Sequence, residues 1–176
     1  MQKYVRQVNG GQTAMRQPLR ELSLQVHQPC LKPTADLNLL EQVCHDYGIS
    51  VSYPDSSKRL KATAGTILQS CASRVSQFRN KMNRDLCVYK LGITAYPPVR
   101  FLFYKEANYT HMTLLHVTEN LGVAQMLEAS LISSNLGQLG CRNERLGGEG
   151  PPNSENERYH FVYIVGARAD CMKPIG

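Results

Sequence analysis

Apolar positions along this chain change their period near residue 85. Upstream, Leu60, Ala64, Ile67, Cys71, Val75, Phe78 and Met82 recur at spacings of three and four. That single stripe predicts one long amphipathic helix from about Lys58 to Met82. An earlier helix is predicted after Pro33, with Thr34 or Asp36 as its cap, Leu37, Leu40, Val43, Cys44 and Tyr47 on its apolar side, and Gly48 as its stop. "ISVSY" (49–53) is a short alternating segment. Downstream, the period shortens. Leu86 to Thr94 predicts a strand with Val88, Lys90, Gly92 and Thr94 on one face and Tyr89, Leu91 and Ile93 on the other. The second of these is the expected core face.

Pro97 and Pro98 open a short helix, "VRFLFYKEA". "MTLLHV" (112–117) predicts a strand, and Thr118 is placed to cap a helix from Glu119 to about Ser134. "YHFVYIV" (159–165) predicts a last strand after a loop rich in glycine and proline. The order β-α-β-α-loop-β implies an α+β fold, a small antiparallel sheet flanked by helices. Three regions are expected: an arm over 1–30, a basic helical region over 31–84, and the α+β domain over 85–176.

Charge sharpens this division. Residues 1–84 hold 12 Lys+Arg against 5 Asp+Glu, a balance of +7, while residues 85–176 hold 8 against 9, or −1. The long helix carries Lys58, Arg59, Lys61, Arg74, Arg79, Lys81 and Arg84, with no acid from Ser56 to Arg84. Such a helix is suited to dock on a core and turn its other side to phosphates. The competing reading is a packing helix whose charges only solubilise it.

Composition removes several classes. No apolar run approaches the roughly 20 residues of a membrane helix, and residues 1–20 lack the apolar core of a secretory signal. The six cysteines contain no Cys-x-x-Cys pair and read as reduced thiols, the expectation for an intracellular protein. Gly147-Gly148-Glu149-Gly150 is not followed by Lys-Ser/Thr and is not a Walker-type loop.

Three features suggest chemistry. Lys90 and Gly92 place a cation and an open space on one strand face, and glycine in a strand often marks a close approach. Arg100 and Tyr104 sit four apart on the short helix, hence on one side of it. Glu128 is a lone acid in the apolar stretch "VAQMLEASLI". A carboxylate at the edge of a low-dielectric core needs a partner, either an arginine or a hard metal such as Mg2+.

"KLGIT", an arginine eight residues after its glycine, a tyrosine one turn further, the helix Ala-x-x-Leu-Glu-x-x-Leu-Ile and "CRN" ending at Asn143 follow in order. Together they resemble the GIY-YIG endonuclease superfamily over about Leu86 to Asn143. The resemblance implies a DNA phosphodiester hydrolase using one divalent metal, Mg2+ or Mn2+. It implies Glu128 as metal ligand, Arg100 on the scissile phosphate, and Tyr104 where the family has histidine or tyrosine. Asn143 is the polar residue closing the core near the site, and Gly92 is the motif glycine. Lys90 stands where the family usually has tyrosine. The family's first strand is not immediately upstream. "YGISVSY" (47–53) is one candidate for it. "HFVYIVG" is the other, which implies a circular permutation with Tyr163 as the motif tyrosine.

The expected function is therefore a divalent-metal-dependent DNA endonuclease, with Tyr163, Tyr104 or Lys90 handling water and a nuclear or DNA-containing organellar location. Two alternatives remain beside it: an inactive nuclease-derived DNA- or RNA-binding module, and a protein-interaction domain with a basic helix.

Overall fold

The computed structural model describes residues 36–53, 63–144 and 157–171. All belong to the second of two units into which the chain divides, 33–176. The arm, Lys58, Arg59, Lys61 and the glycine-proline loop lie outside the described residues.

Helix α1 (Leu37–Asp46) starts where Asp36 accepts from the backbone N–H groups of Asn38 and Leu39. That settles its cap as Asp36, and the chain then enters the two-residue strand β1 (Ser50–Val51). Helix α2 (Ala64–Lys81) starts six residues later than its apolar stripe predicts. The reason is local: Thr63 is extended, and its hydroxyl accepts from the Thr66 N–H, which makes it the cap. Cys71, Val75, Phe78 and Met82 of the stripe are buried as expected, whereas Ala64 is exposed.

Strand β2 (Cys87–Thr94) leads into α3 (Pro97–Glu106), β3 (His111–Thr118) and α4 (Leu121–Asn135), and β4 (His160–Arg168) follows. The cap of α4 is Asn120 rather than Thr118; Thr118 instead accepts from the Asn120 N–H, one step outside the helix. A 3-10 turn, Ala169–Cys171, follows β4.

The sheet has the order β1-β3-β4-β2. β4 pairs antiparallel with both β2 and β3, whereas β1 runs parallel to β3. The fold is α+β as expected, but the sheet is mixed, because β1 adds an edge strand in the same direction as β3. The last strand in the chain thus lies between the two strands that precede it.

Both faces of this sheet are covered. On one, Tyr89, Leu91, Leu115, Val162 and Ile164 pack with Cys71, Val75 and Phe78 of α2 and Leu127 and Leu131 of α4. On the other, Leu114, Phe161, Tyr163 and Val165 pack with Cys44, Ile49 and Phe101. On the β2 face expected to be open, Val88, Gly92 and Thr94 are buried, and Tyr163 of the second core lies over Gly92. Helices α1 and α2 thus share their cores with the sheet.

The described free cysteines are Cys44, Cys71 and Cys87, which are buried, Cys141, which is half-buried, and Cys171, which is exposed. Among the described residues no helix is long and apolar enough to cross a membrane.

Candidate active site

The outer edge of β2 organises the site. An edge strand exposes a row of backbone N–H and C=O groups that must find partners. Here Tyr89 donates to the Gly140 carbonyl at 2.8 Å and accepts from the Arg142 N–H at 2.9 Å. Leu91 is clamped by one side chain: Asn143 Oδ1 accepts from its N–H, and Asn143 Nδ2 donates to its carbonyl, each at 2.9 Å. Further along the same strand, the Ile93 N–H lies near enough to the Glu128 carboxylate of α4 to draw its pKa down. Gly140 permits the loop that carries Asn143 to come this close: it has φ +81°, and a Cβ there would lie 1.8 Å from the Cys87 carbonyl oxygen.

Glu128 is 3% exposed. Burial pushes its carboxyl above the usual carboxylate range, opposed by the Ile93 N–H and by the charge of Arg100. One oxygen, Oε1, is buried with no hydrogen-bond partner among the described residues. An unpaired buried carboxylate oxygen is costly and points to a ligand or to a strained neutral state. The described residues contain no group of three or more His, Cys, Asp or Glu able to hold a metal.

Tyr163 completes the cluster from β4. Its hydroxyl lies 3.0 Å from that of Tyr104, and the two rings meet edge to face with centroids 5.9 Å apart. Tyr104 also packs edge to face on Tyr109. Burial, chiefly, with Tyr104 and Glu128 acting in the same direction, holds the Tyr163 phenol well above its ordinary range, and Arg100 opposes this. Tyr104, Arg100 and Glu128 each lie within electrostatic reach of Tyr163, and Arg100 within reach of Glu128.

Gly92 has a different role from the one expected. It faces Tyr163 in register across β2 and β4, and a Cβ at Gly92 would stand 2.4 Å from the Tyr163 hydroxyl. The space over the glycine is filled by the phenol and is not left for a phosphate. Lys90 stands two residues earlier on the same face, opposite Val165, and is half-buried.

The basic helix also differs. Arg79 is buried, with its guanidinium 5.0 Å above the Tyr89 ring and bonded to Gln138 Oε1 at 2.5 Å and to the Leu139 carbonyl at 3.3 Å. It is a packing residue and does not face a duplex. Arg74 is half-buried and donates to the Leu115 carbonyl at 3.4 Å, at the point where β3 slips its register against β4. Lys81 and Arg84 are exposed.

Some polar residues escaped the sequence reading. Asn135 accepts from the Tyr89 hydroxyl at 3.0 Å and ties the end of α4 to β2. Burial, with Cys141 next in effect, pushes that phenol up to about 12. His160 is 1% exposed with Nδ1 unpaired, and burial lowers its pKa against the pull of Glu157, which also accepts from the Tyr96 hydroxyl. Its parity with Val162 and Ile164 in β4 is the one signal of its inward position.

A separate concavity of about 610 Å3 lies between α1 and β1, lined by Asn38, Glu41, Gln42, His45 and residues 48–51. None of the residues predicted for chemistry lines it. No family model matches the chain, and no curated protein or solved structure matches it either.

Proposed function

We propose that the protein is a DNA phosphodiester hydrolase of the GIY-YIG type, permuted so that its first motif strand is β4. The observation that carries this reading is the convergence of Glu128, Arg100 and Tyr104 on Tyr163, drawn from two helices and a strand far apart in sequence, with one Glu128 oxygen unpaired. The central position of β4, antiparallel to β2, supports the permutation.

The Glu128 carboxylate would hold Mg2+ or Mn2+, an ion that one carboxylate can bind. When bound, the ion polarises a phosphate oxygen as a Lewis acid. Arg100 offsets charge on the phosphorane-like transition state, the work a planar and permanent cation does well. Tyr163 is a phenol at neutral pH because burial holds its proton. It therefore acts as a donor that orients its neighbour and is not a base. Tyr104, half-buried and sharing the hydrogen bond, is the second hydroxyl that can position water. Lys81, the last residue of α2, and Arg84, in the turn after it, are exposed cations for contacts with the DNA backbone.

A second reading keeps DNA binding and drops hydrolysis. It is favoured by the burial of Glu128, which is 3% exposed and has the Ile93 N–H nearby. Metal-dependent nicking of a supercoiled plasmid by wild type and by Glu128→Gln separates the two. Cleavage by wild type that requires Mg2+ and disappears in the variant is expected. Equal activity, or none in either protein, rejects hydrolysis. Gel-shift binding of the same plasmid fragments, weakening as salt rises, then distinguishes a binding module from a protein-interaction domain.

A further inference from the structure

Phe103 is 55% exposed, the only aromatic among the large apolar side chains that the described residues leave in solvent. Its neighbour Phe101 behaves as a core residue, 1% exposed with the Lys105 ammonium 4.7 Å over its ring. Phe103 has no ring packed on it among the described residues. It lies three residues from Arg100 on α3, so the two are neighbours on one flank, with Cβ atoms about 5–6 Å apart. Tyr104, next in the chain, turns the other way, toward Tyr163.

An exposed aromatic ring one helical step from a phosphate-holding arginine has a specific use. Aromatic faces stack on bases that have left the duplex, and apolar wedges hold such bases apart. We propose that Phe103 is a stacking platform for a base displaced beside the phosphate that Arg100 holds. The preferred substrate is then DNA with an unpaired or unstacked nucleotide at the cleaved step, over continuous duplex. This rests on the assignment of Arg100 to the scissile phosphate. The neighbouring Val99 and Leu102 are half-buried, which leaves Phe103 as the one side chain of this turn presenting a full aromatic face outward.

The test uses two oligonucleotides, a continuous duplex and the same duplex with one unpaired 2-aminopurine, with the full chain and no divalent metal. Wild type is expected to bind the unpaired probe roughly tenfold more tightly and to quench its fluorescence by stacking. Phe103→Leu, which keeps an apolar side chain but loses the ring, is expected to bring the affinity ratio close to one and abolish the quenching. Phe103→Trp is expected to keep both. A ratio and quenching unchanged in Phe103→Leu overturn the proposal, as does wild type that binds neither probe. Ring-dependent preference in a protein that never cleaves rejects hydrolysis alone and leaves the platform standing. Cleavage with no dependence on Phe103 does the reverse.

Discussion

Gly92 and Tyr163 face each other across β2 and β4, and the volume a side chain would take at residue 92 is occupied by the Tyr163 hydroxyl, 2.4 Å from the position of a Cβ. The phenol is 3% exposed and shares a hydrogen bond with Tyr104. Gly92→Ala should therefore destabilise the fold by about 1–3 kcal/mol, the range for overpacking a core. Adding Tyr163→Phe removes the nearest atom, so the double variant should lose less than the two single losses combined. Urea denaturation of the three variants measures this, and strict additivity would place the phenol elsewhere.

The Glu128 carboxyl titrates above its unfolded value because it is buried. The folded state then holds a proton that the unfolded state has lost. The stability tied to that proton is fully present below the unfolded pKa of about 4.3 and is lost as pH rises through the folded pKa. Glu128→Gln keeps an acceptor for the Ile93 N–H and carries no charge. It should match wild type at pH 4 and exceed it at pH 8, by about 1.4 kcal/mol for each unit of elevation. Urea midpoints at the two pH values decide the matter. A gap that narrows as pH rises contradicts the assignment.

Magnesium should reverse that penalty in wild type. At 100 times its dissociation constant, a ligand specific to the folded state adds about 2.7 kcal/mol. Thermal melts with and without Mg2+ at pH 8 should show a rise in Tm for wild type and none for Glu128→Gln. An equal rise in both moves the metal off Glu128.

Asn143 closes the β2 edge with two hydrogen bonds from one amide. Asn143→Ala leaves the Leu91 N–H and carbonyl without partners, at a cost of about 1–3 kcal/mol for each group that stays dry. Hydrogen exchange of the Leu91 amide should accelerate in this variant while that of Tyr89, bonded to the Gly140 carbonyl, changes little.

The cations of α2 and of the turn after it should divide into two classes. Arg79→Ala should lower stability, since its guanidinium is bonded to Gln138 and Leu139 and lies over Tyr89. Lys81→Ala and Arg84→Ala should instead weaken DNA binding and reduce the salt slope, by about 0.9 for each phosphate contact removed. Fluorescence anisotropy across a salt series, with urea melts beside it, separates the effects.

Much of this fold is legible because alternation and spacing are local. The strand at Cys87–Thr94, the proline-opened α3 and the inward Glu128 all follow from residues within one or two turns. What was illegible depends on partners distant in sequence. Nothing near Gly92 announces Tyr163, and nothing near Arg79 announces Gln138, 59 residues on. A charged residue on a helix reads as solvent-facing until a loop arrives to receive it. The start of α2 was missed for the opposite reason. Thr63 competes locally for the Thr66 N–H, and a cap of this kind outweighs the apolar period that runs past it.

The position of β4 sets the order in which the sheet can form. β2 and β3 have no ladder between them, and each reaches the other only through a strand made more than 40 residues after β3. During synthesis the two flanking strands emerge with their inner edges unsatisfied and stay so until the middle strand leaves the ribosome. Contacts of such long sequence separation fold slowly and expose unpaired edges while they wait. A nascent chain cut off before His160 would carry every α-helix described above with only the short β1–β3 pairing to pack them on, and nothing to join β3 to β2.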